Sequence, residues 1–338
     1  MPAVSWIMTV RNGMPYLRET LASIAAQTCT DFEVVALVMP GTDGTENELA
    51  SWIGPRLPGR ILIRAQIPLG AARAELVREA RGEFCACIDA DDVSEPTRLE
   101  RQVAFLRTHP AVAAVGSDLR VIDPAGRPTG ASFGAVQDAT DIVHHLLSAN
   151  CLGHSSVLLR RAAVLAAGNY RADISMAEDY DLWLRLAVKH PLANLPEMLV
   201  RYRSHADSFT RQLDTQRAAD CAAAVFAGHA AELYGLEPGL ARRLRDRDIR
   251  FLLPIALQVA RHLARLHGGT PWQRLRRPSL LDSLRRVMRY HDFATRLAFD
   301  ALDPRPRRLR ATLRELAGKT LNRVPFVRPA DDLRPRSS

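Results

Sequence analysis

Lysine is almost missing from this chain of 338 residues: of its 46 basic side chains all but Lys189 and Lys319 are arginine. A glycine-rich, lysine-bearing phosphate loop is therefore absent near the first apolar segment, which argues against a nucleotidyltransferase built on such a loop. Cysteine is scarce and odd in number, with Cys29, Cys85, Cys87, Cys151 and Cys221 forming no CxxC pair. That excludes a zinc ribbon and a paired disulfide framework, and it makes Cys85 and Cys87, two apart in an apolar run, core residues on one strand face. Long apolar runs are also lacking. The longest, residues 251–260, is too short to span a bilayer and contains Pro254 and Gln258. The N-terminus has no basic segment followed by an apolar stretch and a small-residue cleavage site, so a cytoplasmic protein is expected. Internal repeats are not evident.

Charge divides unevenly. Residues 239–338 hold 24 of the 46 Lys and Arg but only 9 of the 37 Asp and Glu, about +15, leaving about −6 on the first 238. Clusters such as Arg242–Arg245, Arg274–Arg277, Arg285-Arg286 and Arg305–Arg310 alternate with leucines at helical spacing. Two readings stand: a peripheral contact with the inner face of the cytoplasmic membrane through basic amphipathic helices, or a helical bundle with a solvated basic face. A GC-rich genome would give the same arginine bias. Nucleic acid is not an expected partner, because aromatic stacking residues are sparse there.

Hydrophobic periodicity predicts strands over Val4–Val10, Phe32–Val38, Ile61–Ala65, Phe84–Ile88 and Ala111–Gly116. Helical patterns fall over 15–24, 45–53, 70–81 and 96–108 between them. Strands separated by helices imply right-handed βαβ units and a parallel sheet covered on both faces. Beyond residue 117 the pattern reads as a hairpin to Phe133, a helix over 138–149, a short strand over 155–159, a short helix over 161–167 and a strong helix over Glu178–Lys189. From about Thr215 only helices are expected, with breaks at Gly268-Gly269 and Pro304-Arg305-Pro306. The predicted organisation is a catalytic domain over 1–214, a basic helical region over 215–326 and a disordered tail over 327–338.

The strand over Phe84–Ile88 runs straight into Asp89-Ala90-Asp91-Asp92. Ligands of open α/β sheets bind at the carboxyl ends of strands. Three crowded carboxylates there repel one another, and a hard divalent cation, Mg2+ or Mn2+, relieves that repulsion. A polar loop with an aspartate capping the next helix is the plainer alternative.

Several ordered motifs share one pattern. They are Val4–Gly13, Tyr16–Glu19, Ser23–Thr28, Asp31-Phe32-Glu33, Thr42–Thr45, Ala72-Arg73, Ala80–Glu83, the acids at 89–92, Glu178–Arg185 and Tyr202–His205. Together they resemble family 2 glycosyltransferases over residues 3–210. The resemblance implies a GT-A-type, Rossmann-like, mostly parallel α/β sheet flanked by helices, here with a helical C-terminal extension. It implies a metal-dependent enzyme moving a hexosyl or related group, with inversion, from a nucleotide-diphosphate sugar to a hydroxyl of a cell-envelope glycan or lipid-linked acceptor.

By the same resemblance Asp91 and His205 hold the metal and Asp179 is the general base. Thr9, Arg11, Asn12, Arg73, Asp89, Asp92, His154 and Glu178 face the nucleotide sugar. Each has a plainer reading. Glu178 and Asp179 open a helix, whose N-terminus favours acids on structural grounds. His205 could be a surface histidine, His154 a loop-packing residue, and Trp183 core rather than a sugar platform.

The family's usual paired aspartates after the second strand, the first reading the base, are Val38 and Met39 here. Its usual stacking tyrosine on the first strand is Arg11, and the Asn after the helix arginine is Ala74. Two readings follow: an active transferase with altered base recognition, or a non-catalytic descendant that binds a nucleotide sugar or a partner enzyme.

Overall fold

A computed structural model describes residues 1–174, 176–208, 215–237, 239 and 252–287. The alternation read from the sequence builds β1 (Val4–Val10), α1 (Leu17–Ala25), β2 (Phe32–Val38), α2 (Thr45–Trp52), β3 (Gly59–Ile63), α3 (Leu69–Glu79) and β4 (Phe84–Cys87). β1, β2 and β4 are apolar on both faces because both are covered. Val4, Trp6, Met8, Val34, Ala36, Phe84 and Ala86 pack in one core with Leu17, Leu21 and Leu99, while Ile7, Val35, Leu37, Cys85 and Cys87 pack in the other with Leu76 and Val77. Cys85 and Cys87 are thus buried, unbridged core residues on one face. β3 lies two residues earlier than expected because Gly59 pairs with Val34. A Cβ at 59 would stand 2.0 Å from the Val34 carbonyl oxygen.

The second half comprises β5 (Val93–Ser94), α4 (Arg98–Thr108), β6 (Ala114–Ile122), β7 (Pro128–Ser132), α5 (Ala139–Leu146), a 3-10 turn (His154–Ser156), β8 (Leu158–Arg160), α6 (Arg161–Ala166), α7 (Glu178–Lys189) and β9 (Leu192–Arg203). The strand expected over 111–116 and the first hairpin arm are one element, β6. β9 was not foreseen. Pro196 and Glu197 break its alternation, and it pairs in parallel with β6 only through register shifts around Asp118.

The described strands form one sheet in the order β3-β2-β1-β4-β8-β6-β9-β5, with β7 on β6. β1 to β4 are parallel, whereas β8 runs against both β4 and β6. The chain winds from β1 out to β3 and returns to the other side of β1 as β4. That reversal leaves a crevice at the carboxyl ends of β1 and β4. Beneath it Arg98 is fully buried, donating to the Cys87 carbonyl (2.8 Å), Ser94 Oγ (3.0 Å) and Gln102 Oε1 (3.1 Å), with its guanidinium over the Trp6 ring. Gln102 in turn donates to the carbonyls of Val115 and Ser156.

The C-terminal part contains α8 (Thr215–Tyr234), α9 (Leu252–His267), α10 (Pro271–Leu275) and α11 (Pro278–Val287), with the expected break at Gly268-Gly269, both at positive φ. These helices do not stand apart. Phe226, Leu233, Tyr234, Val259, Leu263, Leu281 and Leu284 belong to the same core as α3 and α7. Polar ties reinforce the seam: Tyr234 donates to the Val143 carbonyl (2.7 Å), Ser279 to Asp141 (2.6 Å), and His229 Nε2 lies 2.8 Å from Asp181 Oδ1. The arginine clusters at 242–245 and 305–310, the break at 304–306 and the tail at 327–338 lie outside the described residues. Among the described residues no helix is long and apolar enough to cross a membrane.

Because Leu281 is wholly buried in this shared core, Leu281→Ala should destabilise the protein by about 2–4 kcal/mol. Urea unfolding followed at the catalytic-domain tryptophans should show the loss in a single transition.

Candidate active site

Three segments converge on the crevice. The first is the loop after β1. Thr9 is half-buried at the strand end, and Arg11 and Asn12 are exposed beyond it. Asn12, at φ 50°, accepts the Thr42 N–H through Oδ1 (3.0 Å), and Gly41 beside it has no room for a Cβ, which would lie 2.3 Å from that oxygen. Asp43 accepts the Met14 N–H (2.8 Å), and Thr45 Oγ1 accepts the Gly13 N–H (2.8 Å). The loops after β1 and β2 are therefore stitched together by side chains, with Val38 and Met39 buried beneath them.

The second segment is the acidic cluster after β4, whose three carboxylates take three directions. Asp89 accepts from Ser155 Oγ (2.9 Å) and Arg73 Nη2 (3.3 Å), with His154 Nδ1 at 3.7 Å. Burial would raise its proton affinity, but His154, Arg73 and Ser155 outweigh that and hold it below the usual carboxylate range. Asp91 turns toward the cleft, and its Oδ2 lies 2.9 Å from His205 Nε2. Burial and the Asp89 charge push its carboxyl up, with His205 opposing. Asp92, expected beside the nucleotide sugar, lies elsewhere. It is fully buried, and its Oδ1 accepts the Arg203 N–H (2.8 Å).

Arg203 is the residue that sequence reasoning passed over. Its guanidinium is 2% exposed, donates to the Asp91 carbonyl (2.9 Å) and to Glu19, and lies over the Tyr16 ring. It thereby fixes the end of β9, so that His205, two residues on, meets Asp91. Its place in the Tyr202–His205 motif was the available signal.

The third segment is the start of α7. Glu178 is buried and ion-paired to the buried Arg73, which also faces Asp89. Burial raises the Glu178 carboxyl although Arg73 opposes this, and Glu178 with Asp89 keeps Arg73 charged against the cost of its burial. Asp179 is half-buried, and its Oδ2 accepts from Asn150 Nδ2 (2.9 Å), a partner without a sequence signal. His154, on the 3-10 turn, contacts Tyr170 Oη through Nε2 (3.1 Å) as well as Asp89. Trp183 is fully buried core. The structure thus gathers Arg73, Asp89, His154 and Glu178 into one cluster and Asp91 with His205 into another. Asp179 is anchored to the 150–154 segment.

The Asp91–His205 pair suits a divalent cation. Two neighbouring ligands of an octahedral ion with bonds of about 2.1 Å lie about 3 Å apart, the separation seen here. His205 Nδ1 is buried without a hydrogen-bond partner among the described residues. Those residues contain no group of three or more metal-binding side chains, so the remaining positions would fall to substrate phosphate and water.

The family model for glycosyl transferase family 2 matches residues 5–162. The protein named "Putative glycosyltransferase EpsE" of Bacillus subtilis is 30% identical over 223 residues, covering 62% of this chain and 76% of that protein. The chain belongs to glycosyl transferase family 2. It is also similar to AmsE of Erwinia amylovora, named an amylovoran biosynthesis glycosyltransferase, at 29% identity over 202 residues, 58% of this chain and 73% of that one. Among solved structures, residues 1–349 of S. aureus TarS share the fold with a TM-score of 0.57 at 16% identity, covering 94% of this chain and 91% of that one. This family 2 member is accordingly a glycosyltransferase with a GT-A-type fold.

The environment of His154 yields a pH test. Burial and Arg73 oppose its proton, Cys87 and Asp89 favour it, and the net rise is from 6.5 to about 9. A folded value above the unfolded one means that the protonated form stabilises the fold fully below about pH 6.5, and that this contribution fades as pH rises toward 9. Urea-derived stability should fall over that interval, and His154→Gln should flatten the slope.

Proposed function

We propose that this glycosyltransferase transfers a sugar, with inversion at the anomeric carbon, from a nucleotide-diphosphate donor to a hydroxyl of an envelope or secreted polysaccharide or its lipid-linked precursor, with Mg2+ or Mn2+ as cofactor. The observation that carries the reading is the convergence of Asp91 and His205 at 2.9 Å in the crevice between β1 and β4. Asp179 stands half-exposed at the head of α7. AmsE, named for amylovoran biosynthesis, supports the polysaccharide acceptor. The UDP-GlcNAc complex of TarS supports a nucleotide-sugar donor.

A cation held by Asp91 and His205 would neutralise the leaving diphosphate as a Lewis acid. Asp179 takes the proton of the acceptor hydroxyl as its oxygen attacks the anomeric carbon, and the Asn150 hydrogen bond aims that carboxylate. Arg73 adds a buried positive charge beside Asp89, and the Glu178 pair keeps it from swinging away. Thr9, Arg11 and Asn12 border the donor at the end of β1. With Val38 and Met39 in place of carboxylates, base recognition falls to main chain and to arginine planes such as that of Arg11. The retained metal and base positions favour an active enzyme over a binding-only descendant. Leu263 of α9 and Leu280, Leu281 and Leu284 of α11 are wholly buried and, among the described leucines of these helices, only Leu266 is exposed, at 41%, so contact with an anionic membrane would rest on arginines rather than on an inserted apolar face.

Incubation with a panel of UDP, GDP, TDP and CDP sugars and Mn2+ should release sugar from at least one donor. Asp91→Ala should abolish that hydrolysis, and a variant indistinguishable from wild type over the whole panel would overturn the metal assignment. Asp179→Asn should lower kcat for transfer by about 10^2 to 10^4 with little change in donor KM. A retained kcat would remove Asp179 from the base role.

A further inference from the structure

One exposed aromatic is held more firmly than its exposure warrants. Phe133 follows β7 with 58% of its surface in solvent, yet its backbone is pinned on both sides. Its N–H donates to the Leu119 carbonyl (3.2 Å), and the next N–H, of Gly134, donates to Asp118 Oδ1 (3.0 Å), which also accepts the Leu119 N–H. The ring meets Tyr202 of β9 edge to face, with centroids 5.7 Å apart at 74°. A single exposed apolar side chain is ordinary; what sets Phe133 apart is that its backbone is pinned on both sides and its ring is paired with a second aromatic, which makes a fixed apolar surface able to hold a flat ligand.

The position of the pair relates it to the catalytic machinery. Tyr202 pairs with Val121 and Val200 with Leu119, so Tyr202 and Leu119 lie on the same sheet face. Leu119 there abuts Gly153, where a Cβ would come within 2.4 Å of its side chain. Arg203 and Arg201 point to the other face, toward Glu19. Asn194 donates both to the Val136 carbonyl (2.9 Å) and to the Cys151 carbonyl (3.2 Å), laying the segment after Phe133 alongside the segment whose Asn150 holds Asp179. The pair, Phe133 exposed and Tyr202 half-buried, therefore adjoins the 150–154 segment whose Asn150 anchors Asp179 at the head of α7, on the sheet face away from Glu19.

We propose that Phe133 and Tyr202 form an acceptor platform, on which a pyranose ring of the acceptor glycan lays its C–H face so that its hydroxyl is presented toward Asp179. This rests on the glycosyl-transfer reading above and goes beyond it by naming the surface and the chemistry of its occupant. A pyranose offers one largely C–H face and a rim of hydroxyls, which suits an aromatic ring that is apolar in its plane beside a tyrosine with a polar tip. Stacking of this kind selects ring faces rather than particular hydroxyls, so the platform would serve chain extension, where the sugar next to the reacting one must also be held.

The test uses the full-length chain. In Phe133→Trp the new indole reports contact directly, and its fluorescence, taken as the difference from wild type, should change saturably with glucan or N-acetylglucosamine hexaoses. In parallel, Phe133→Ala should raise KM for the accepted glycan about tenfold while donor KM stays within twofold, and Phe133→Trp should restore acceptor KM. An unchanged acceptor KM in Phe133→Ala, or an indole that responds to dodecylphosphocholine micelles but to no saccharide, overturns the platform. If wild type turns over no donor at all, the transferase reading fails instead, and the fluorescence titration alone decides the platform, an indole silent to every saccharide overturning it.

Discussion

The buried clamp between Asp92 and Arg203 is the constraint on which the site depends. Residues 89–92 close the parallel half of the sheet, and residues 203–205 leave β9, more than a hundred positions later. Asp92 takes the Arg203 N–H, and the Arg203 guanidinium returns to the Asp91 carbonyl and to Glu19. Burial pushes the Asp92 carboxyl well above its usual range, with the Asp91 and Asp89 charges adding to the effect. Truncating the Arg203 side chain would keep the backbone N–H on Asp92 but leave the Asp91 carbonyl short of its guanidinium donor in a low-dielectric interior, which is costly. The clamp thus fixes the two side chains that face one another in the cleft, Asp91 and His205.

A second constraint joins the donor side to the base. Arg73 bridges Asp89 after β4 and Glu178 at the head of α7, so the strand that carries the acids and the helix that carries Asp179 share one buried cation. Helix α7 is held from below as well. Asp181 accepts from Arg185 Nε and meets His229 of α8, which makes the C-terminal helices part of the support for the catalytic helix. This explains why their apolar faces merge with the domain core.

Several elements were legible in both halves. β1, β2 and α7 stand where the apolar pattern put them, because a strand buried on both faces and a helix with a continuous apolar stripe leave strong periodic signals. Cys85 and Cys87 are core for the same reason. β9 was not legible: its alternation is broken at Pro196 and Glu197, and its partner β6 is some eighty residues distant, so pairing rather than pattern creates it. Of the candidate site residues, Asp89, Asp91, His154, Glu178 and Arg73 could be named from motif. Asn150 had no signal, because its role is only to lie beside Asp179.

Sequence alone determined the chemistry on offer: a strand ending in three acids, a helix opening on Glu178-Asp179, and a Tyr-Arg-Ser-His segment. It did so because residue type and local spacing fix which groups a strand end or a helix start can present. The tertiary structure decided how those groups divide their work. The family resemblance set Asp91 on the metal and both Asp89 and Asp92 on the nucleotide sugar, yet in the fold Asp89 went to Arg73 and Ser155, Asp91 to His205, and Asp92 into the interior against Arg203. The reason is that chain reversal at 89–92 points consecutive side chains in different directions, and only the elements packed around it, β9 above all, determine what each one meets.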